Sequence, residues 1–207
     1  MTTANILISV VLVLNIVGNP DRTFPHSVNP KLRVERIAEP SAMGAQSEQQ
    51  PTTYRHSSPS FSCNIPSGWV EYSKTPTPGV YTKFWRVADG VFTGSGIRIT
   101  GGPAGDVTAV WDINPNDLRT GFEKDYAVRN YRTAKVTING RSALRFEFDS
   151  QLTENGKGIP IKIVGHTFFT KEPEGEYLVM ALLLSRVFEI TTDNAGYMSV
   201  VNSLRFN

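Results

Sequence analysis

The chain has 207 residues, of which 40% are apolar and 19% are charged, and its formal net charge is +2. This composition is ordinary for a globular protein, and the length fits one folded domain with an appendage. The 21 basic and 19 acidic residues are scattered without a basic run, which argues against a nucleic-acid partner. Cys63 is the single cysteine, so an intrachain disulfide and a thiol-rich metal site are excluded.

The first eighteen residues form an apolar segment. Residues 6–17 are almost wholly apolar, and no charged residue precedes Asp21. A run of about fifteen residues is short for a membrane span but typical of the apolar region of a secretory signal. We predict that residues 1–18 are a signal peptide or a short membrane anchor, and that the protein is exported to the periplasm, the cell surface or another extracytoplasmic compartment. An uncleaved anchor, a misplaced start and a buried N-terminal strand or helix are the alternatives, since no Lys or Arg precedes the run.

Residues 19–59 have the composition of a linker. They contain six prolines, with Ser, Gln and Asn between them and no sustained apolar period. Such a segment buries too little apolar surface to offset the entropy of ordering, so we predict a disordered Pro/Ser-rich linker with at most a short helix at residues 31–38. His26 and His56 lie here without acidic or thiol neighbours, so no metal role is predicted for either.

The predicted domain spans residues 60–207 and opens with short strands. Phe61, Cys63 and Ile65 alternate with polar residues, which places the thiol in the core as a small, inert apolar group. Residues 66–68 predict a turn, and strands are predicted over 69–72, 79–87 and 91–100, with a hairpin turn at residues 89–90. The glycines at 94–96 and 101–105 lack the spacing of a phosphate loop and are interpreted as turn and bulge glycines.

Two amphipathic helices are predicted. Leu118, Phe122 and Tyr126 recur every four residues, which indicates a helix from Asn116 to Asn130 with Asn116 as its cap. Near the C-terminus, Thr192 or Asp193 is a candidate cap for a second helix, whose predicted apolar face carries Tyr197, Val200, Val201 and Leu204.

Four successive strands are predicted between residues 133 and 184. Asn139 and Gly140 join the first two, a dipeptide that tolerates positive φ at both centres of a type I′ turn. In the second strand Leu144, Phe146 and Phe148 alternate with charged residues, so one face is apolar. The last strand, residues 177–184, is continuously apolar, which is typical of a central strand covered on both faces.

Three stretches carry a resemblance to a known family: FSCNIPSGW at 61–69, NGRSALRFEF at 139–148 and NSLRF at 202–206. With the helices between and after them, they resemble the PsbP family, which includes the extrinsic subunit of photosystem II. The resemblance covers the whole predicted domain. It implies an α+β fold in which helices pack on a central antiparallel β-sheet in an α/β/α sandwich, shared with the envelope protein DcrB and a Ran-binding import factor.

The resemblance implies no catalytic residue and no cofactor. The plant subunits bind at the lumenal face of photosystem II and support its calcium and chloride retention, but this sequence has no residue cluster that would carry such ion chemistry. We therefore predict a non-enzymatic protein.

One candidate binding face follows from the strand alternation. Arg145 and Glu147 point away from Leu144 and its apolar neighbours, and Lys162 and His166 share a face of the next strand. The four residues form either a polar binding cleft or ordinary cross-strand charge pairing on a half-exposed sheet.

The predicted function is an exported, non-enzymatic binding or assembly module that acts through protein–protein contacts at the cell envelope or a membrane surface. Its partner is an unidentified protein, and the N-terminal apolar segment is a candidate membrane tether. Two alternatives remain: a small-ligand-binding or hydrolytic protein with a cleft around His166 and Glu147 or Asp149, and a soluble intracellular interaction adaptor.

Overall fold

The computed structural model describes residues 52–72, 79–89, 91–154 and 157–207. The predicted signal or anchor, the helix at 31–38, His26 and the linker up to residue 51 lie outside the described residues. The elements in chain order are β1 (Thr52–Ser57), β2 (Ser60–Ile65), β3 (Trp69–Glu71), β4 (Val80–Ala88), β5 (Val91–Pro103), a 3-10 helix (Val110–Asp112), α1 (Pro115–Glu123), β6 (Arg129–Ile138), β7 (Arg141–Glu154), β8 (Lys157–Glu172), β9 (Gly175–Arg186), α2 (Ile190–Ser203) and β10 (Arg205–Phe206).

The strands form two antiparallel sheets. The larger has seven strands in the order β3-β4-β5-β9-β8-β7-β6, and the smaller has three in the order β1-β2-β10. The α+β class predicted from the sequence is confirmed. None of the helices in the described part of the chain has the length and apolarity needed to cross a membrane.

The four predicted strands are confirmed, together with the turn that joins the first two and the alternation of the second. Asn139 and Gly140 adopt φ of 51° and 76° between the paired residues Ile138 and Arg141, which is the two-residue turn that the dipeptide favours. The strand β9 lies in the interior of the large sheet, between β5 and β8. Its side chains alternate between two apolar cores, as expected of a strand covered on both faces.

The two cores lie on opposite faces of β9. The α2-side core contains Tyr197, Val200 and Val201 of α2 together with Val179, Ala181 and Leu183, and it continues into β2 and β10. The α1-side core contains Leu118 and Phe122 of α1 together with Phe146, Phe148, Leu178, Met180 and Leu182. Each helix therefore buries its apolar stripe in a different core.

Helix α1 is shorter than predicted. Its cap is Asn114, whose side chain accepts a hydrogen bond of 3.0 Å from the amide of Asn116, and Pro115 fills the first position. The helix ends at Glu123, and β6 begins at Arg129. In β6 the backbone N–H and C=O groups make their hydrogen bonds with β7, whereas a longer helix would have bonded them within itself. Tyr126 follows the helix and still packs in the α1-side core, which is why the apolar period continued past the helix end.

Helix α2 also begins differently. It starts at Ile190, so Thr192 and Asp193 lie inside its first turn rather than at the cap. Asp193 is fully buried and makes tertiary contacts.

The segment predicted as linker contains an ordered strand. Residues 52–57 form β1, which pairs along its whole length with β2. An edge strand needs main-chain partners on one side only, so it tolerates a polar sequence without apolar alternation. His56 stacks its ring on Phe61 and Tyr54 packs against the same ring at a tilt, which ties this strand to the α2-side core.

Candidate functional site

Arg145, Glu147, Asp149 and Lys162, here called the ion-pair group, lie on one face of β7 and β8. The register pairs Arg145 with His166, Glu147 with Val164 and Asp149 with Lys162, and residues directly opposite in an antiparallel pair share a face. Because Val164 belongs to the α2-side core, this is the face that α2 partly covers. The register thus places Arg145, Glu147, Lys162 and His166 on one face of the two strands.

The ion-pair group is linked by short contacts. The guanidinium of Arg145 donates to the carboxylate of Glu147, its neighbour two positions along the same strand. The Nζ of Lys162 lies 3.3 Å from Oδ1 of Asp149 and 4.0 Å from Oε1 of Glu147. These charges largely neutralise one another, and the side chains are partly exposed.

Asp149 is held ionised from its outer side. Asn130 at the start of β6 donates a hydrogen bond of 2.8 Å from Nδ2 to Oδ2 of Asp149. This bond, followed by the interactions with Lys162, holds the pKa of Asp149 below its ordinary value. Asn130 has a φ of 52°, a left-handed conformation that Asn tolerates.

His166 differs from the other three predicted site residues because it is buried. It is 2% exposed, and its Nδ1 lies 2.8 Å from the hydroxyl of Tyr197 on α2. Tyr197 donates its single hydroxyl hydrogen to the carbonyl of Ala181 at 2.9 Å. His166 must therefore donate from Nδ1–H, which fixes its neutral tautomer. Burial, reinforced by the positive charge of Arg145, lowers the pKa of His166 to about 4.

The structure thus brings three of the four predicted residues together on an accessible surface. His166 lies beneath α2, in contact with Tyr197 rather than with solvent. The half-exposed position expected for His166 is not what the structure shows, because α2 covers this part of β8. The arrangement of Arg145, Glu147 and Lys162 as a binding face remains a prediction.

Sequence reasoning missed a second polar cluster next to this face, here called the Arg86 network. Arg86 on β4 lies 2.8 Å from Asp193 and 3.5 Å from Glu189. Ser185 donates to Asp193, and Ser95 donates to Glu189 at 3.2 Å. A buried carboxylate requires a cation and donors around it.

The sequence signal that could have revealed this network was Asp193. It falls on the same helical face as Tyr197 and Val200, so its side chain points toward the core rather than capping the helix.

An exposed apolar segment, here called the exit loop, joins β9 to α2. Phe188 is 77% exposed and Val187 is 47% exposed. The amide of Val187 donates to the carbonyl of Pro160 at 3.3 Å, which fixes the loop at the start of β8. Lys162, two residues further along β8, pairs with Ser185 at the end of β9. The exit loop therefore lies at the same end of the sheet as the ion-pair group.

A shallow cleft of about 350 Å³ opens beside β1 and β2, and its lining includes no member of the ion-pair group. Its lining residues are Arg55, His56, Ser57, Ser60, Phe61, Ser62 and Asn207. His56 stacks on Phe61 and places Nδ1 3.0 Å from the carbonyl of Pro59. Within the described ranges, no three His, Cys, Asp or Glu side chains converge as metal ligands.

Cys63 and the glycine-rich stretches have structural roles. Cys63 is 1% exposed, and burial, with a smaller effect of Glu71, raises the pKa of its thiol to about 12. Gly96 and Gly101 lie within β5. A Cβ at Gly101 would lie 2.0 Å from the carbonyl oxygen of Leu178, so the close approach of the two strands requires glycine there.

No family model matches the sequence, and no curated protein matches it. Comparison of the structures gives a different result. The solution structure of the cyanobacterial PsbP, CyanoP, from Synechocystis sp. PCC 6803 matches with a TM-score of 0.53 and 13% identity, over 81% of this chain and 98% of that one.

The chain has a PsbP-like fold. LpqN of Mycobacterium tuberculosis, described as involved in cell envelope biogenesis, aligns at 13% identity with a TM-score of 0.48, over 76% of this chain and 91% of that one. The Saccharomyces cerevisiae Ran-binding protein Mog1p aligns at 10% identity with a TM-score of 0.47, over 76% and 95%. The PsbP-like fold confirms the resemblance found in the sequence, and at these identities it establishes the fold alone.

Proposed function

We propose that this protein is an exported, non-enzymatic binding module that assembles with another protein at the cell envelope or a membrane surface. Residues 1–18 direct its export or anchor it, residues 19 to about 51 are its linker, and its helices and large sheet form the α/β/α sandwich of PsbP-like proteins. The proposal is supported by the PsbP-like fold and by the composition of the surface around the exit loop.

The observation that carries the proposal is the juxtaposition of the exit loop and the ion-pair group. Protein interfaces combine a buried aromatic anchor with a polar rim. Phe188 supplies an anchor that this chain leaves in solvent, and Lys162, Glu147 and Asp149 supply charges of both signs at the same end of the sheet. Because these charges neutralise one another, the ion-pair group has little net charge with which to attract a polyanion. Its individual charges instead fix the orientation of a protein partner on this surface.

The mutational test replaces the anchor. Phe188→Asp should leave the thermal unfolding of the protein unchanged, because the side chain is mostly in solvent, and should remove the partner recovered by crosslinking in the native envelope. Val70→Asp on β3 is the matched control, since Val70 is also an exposed apolar residue and lies on an edge strand, three strands away from β9. Identical crosslinked products for the two variants and the unmodified protein would refute this interface.

Export is tested separately. A fusion of residues 1–58 to a reporter that is active only outside the cytoplasm should give activity, and replacing Leu12 and Leu14 by Arg should abolish it because charge disrupts the apolar region. A reporter that stays cytoplasmic would favour the soluble intracellular adaptor.

A further inference from the structure

The α1-side face of the large sheet carries a buried arginine for which the described part of the chain supplies no counterion. Arg98 lies on β5, directly opposite Lys83 on β4 and Leu182 on β9. It is 6% exposed, and Leu182 belongs to the α1-side core. Neither Lys83 nor Arg98 has a carboxylate within ion-pair distance among the residues that the structure describes. Two cations directly opposite each other destabilise a sheet, so their pairing needs a reason outside folding.

The unpartnered atoms of Arg98 have a specific geometry. Its Nε and Nη2 are both buried and find no hydrogen-bond partner among the described residues. These two nitrogens form one edge of the planar guanidinium, the edge that donates two parallel hydrogen bonds to a carboxylate or a phosphate. An arginine buried for packing alone would turn this edge to water or to backbone carbonyls.

A third unpartnered donor lies on the same face. The indole Nε1–H of Trp85 is buried, and no acceptor for it lies in the ranges that the structure describes. The Trp85 ring lies over Gly96, 3.4 Å from where a Cβ would stand, and Gly96 is two residues from Arg98 on the same face of β5. Lys83 lies two residues before Trp85 on β4, on that face too. The set therefore consists of donors only.

The pKa shifts of Arg98 and Lys83 agree with this geometry. Burial lowers the pKa of Arg98 to about 10, and the neighbouring Tyr126 opposes that shift in part. Burial and the charge of Arg98 lower the pKa of Lys83. Both side chains thus carry a desolvation cost that an anion between them would relieve. Lys83 and Trp85 are partly exposed, so the site opens to solvent on the β4 side.

We propose that Arg98, Lys83 and the Trp85 indole form a binding site for a carboxylate or phosphate group of a small molecule. Arg98 donates hydrogen bonds from Nε and Nη2 to two oxygens of the group, and Trp85 donates to the group from its Nε1–H. Lys83 neutralises the remaining charge from the solvent side. This site lies on the opposite face of the sheet from the ion-pair group, and it does not depend on the proposed protein interface.

The test follows the donors themselves by nuclear magnetic resonance on the 15N-labelled full chain. Addition of sodium phosphate, or of sodium acetate in a second titration, should shift the Arg98 Nε–H and Trp85 Nε1–H signals to saturation with one common Kd. Sodium chloride at matched ionic strength should not. Saturation by phosphate alone assigns a phosphate group, and tighter saturation by acetate assigns a carboxylate. Signals that do not saturate with either anion would overturn the proposal and leave water as the partner of these donors.

The variant series separates the site from general charge effects. Arg98→Met should weaken binding, followed at the Trp85 signal, by about tenfold or more, because it removes both parallel bonds. Arg119→Met is the matched control, since Arg119 is exposed on α1 and pairs with Glu123. Equal affinities in the two variants would refute the assignment. If Arg98→Met does not fold, Trp85→Phe supplies the test, because it should weaken binding severalfold at the Arg98 signal, and unchanged affinity would refute it.

Discussion

The stability of this domain should fall in mildly acidic solution because His166 must stay neutral. In the folded protein burial lowers the pKa of His166 to about 4, whereas an unfolded histidine titrates near 6.5. Between these values the unfolded chain binds a proton that the folded protein excludes, so the free energy of unfolding decreases as the pH falls. The contribution is complete above about pH 6.5 and is lost progressively down to about pH 4.

The magnitude follows from the two pKa values. Protonation of the unfolded state should lower the free energy of unfolding by about 2 kcal/mol between pH 7 and pH 5, and by about 3 kcal/mol at pH 4. Asp112 and Asp149 also have lowered pKa values, but an unfolded Asp titrates near 3.9, so their contributions begin to be lost only at about pH 5 and hardly change between pH 7 and pH 5.

Urea unfolding at pH 7, 6 and 5 measures the effect. The unmodified protein should lose about 2 kcal/mol across the series, whereas His166→Gln should show a nearly flat profile, because its amide donates to Tyr197 but does not titrate. His56→Gln is the control and should keep the slope of the unmodified protein. A flat profile for the unmodified protein, or an unchanged slope in His166→Gln, would refute the assignment of the acid sensitivity to His166.

Three further predictions concern the interior. Cys63 should react slowly with a thiol reagent in the native protein and rapidly after denaturation, whereas fast native labelling would show that its burial is wrong. Gly165→Ala should cost about 1–3 kcal/mol, because its Cβ would lie 2.1 Å from the buried ring of Phe146, while Gly102→Ala, with open space around its Cβ, should be nearly neutral in the same thermal unfolding assay. Asp193→Ala should cost about 1–3 kcal/mol because it leaves Arg86 with the longer 3.5 Å contact to Glu189 in place of a 2.8 Å ion pair, and a loss below about 0.5 kcal/mol in urea would contradict a structural ion pair.

The strands between residues 133 and 184 could be predicted from the sequence because their signals are local. A type I′ turn depends on two residues, Asn139 and Gly140, and the exposure of β7 depends on a period of two. Continuous apolar sequence in β9 indicated burial on both faces, and β9 occupies an interior position in the sheet. Cys63 was placed in the core by the same alternation.

Packing between segments that are distant in the sequence decided the features that could not be predicted. The sequence places Arg145, Glu147, Lys162 and His166 on one face, but it does not reveal that α2, more than twenty residues further on, covers His166 and leaves Lys162 accessible. Strand β1 has no apolar period, since its order comes from backbone pairing with β2. The unpartnered edge of Arg98 is a property of the folded sheet, because hydrogen-bond satisfaction depends on every neighbour that folding brings close and has no counterpart in residue order.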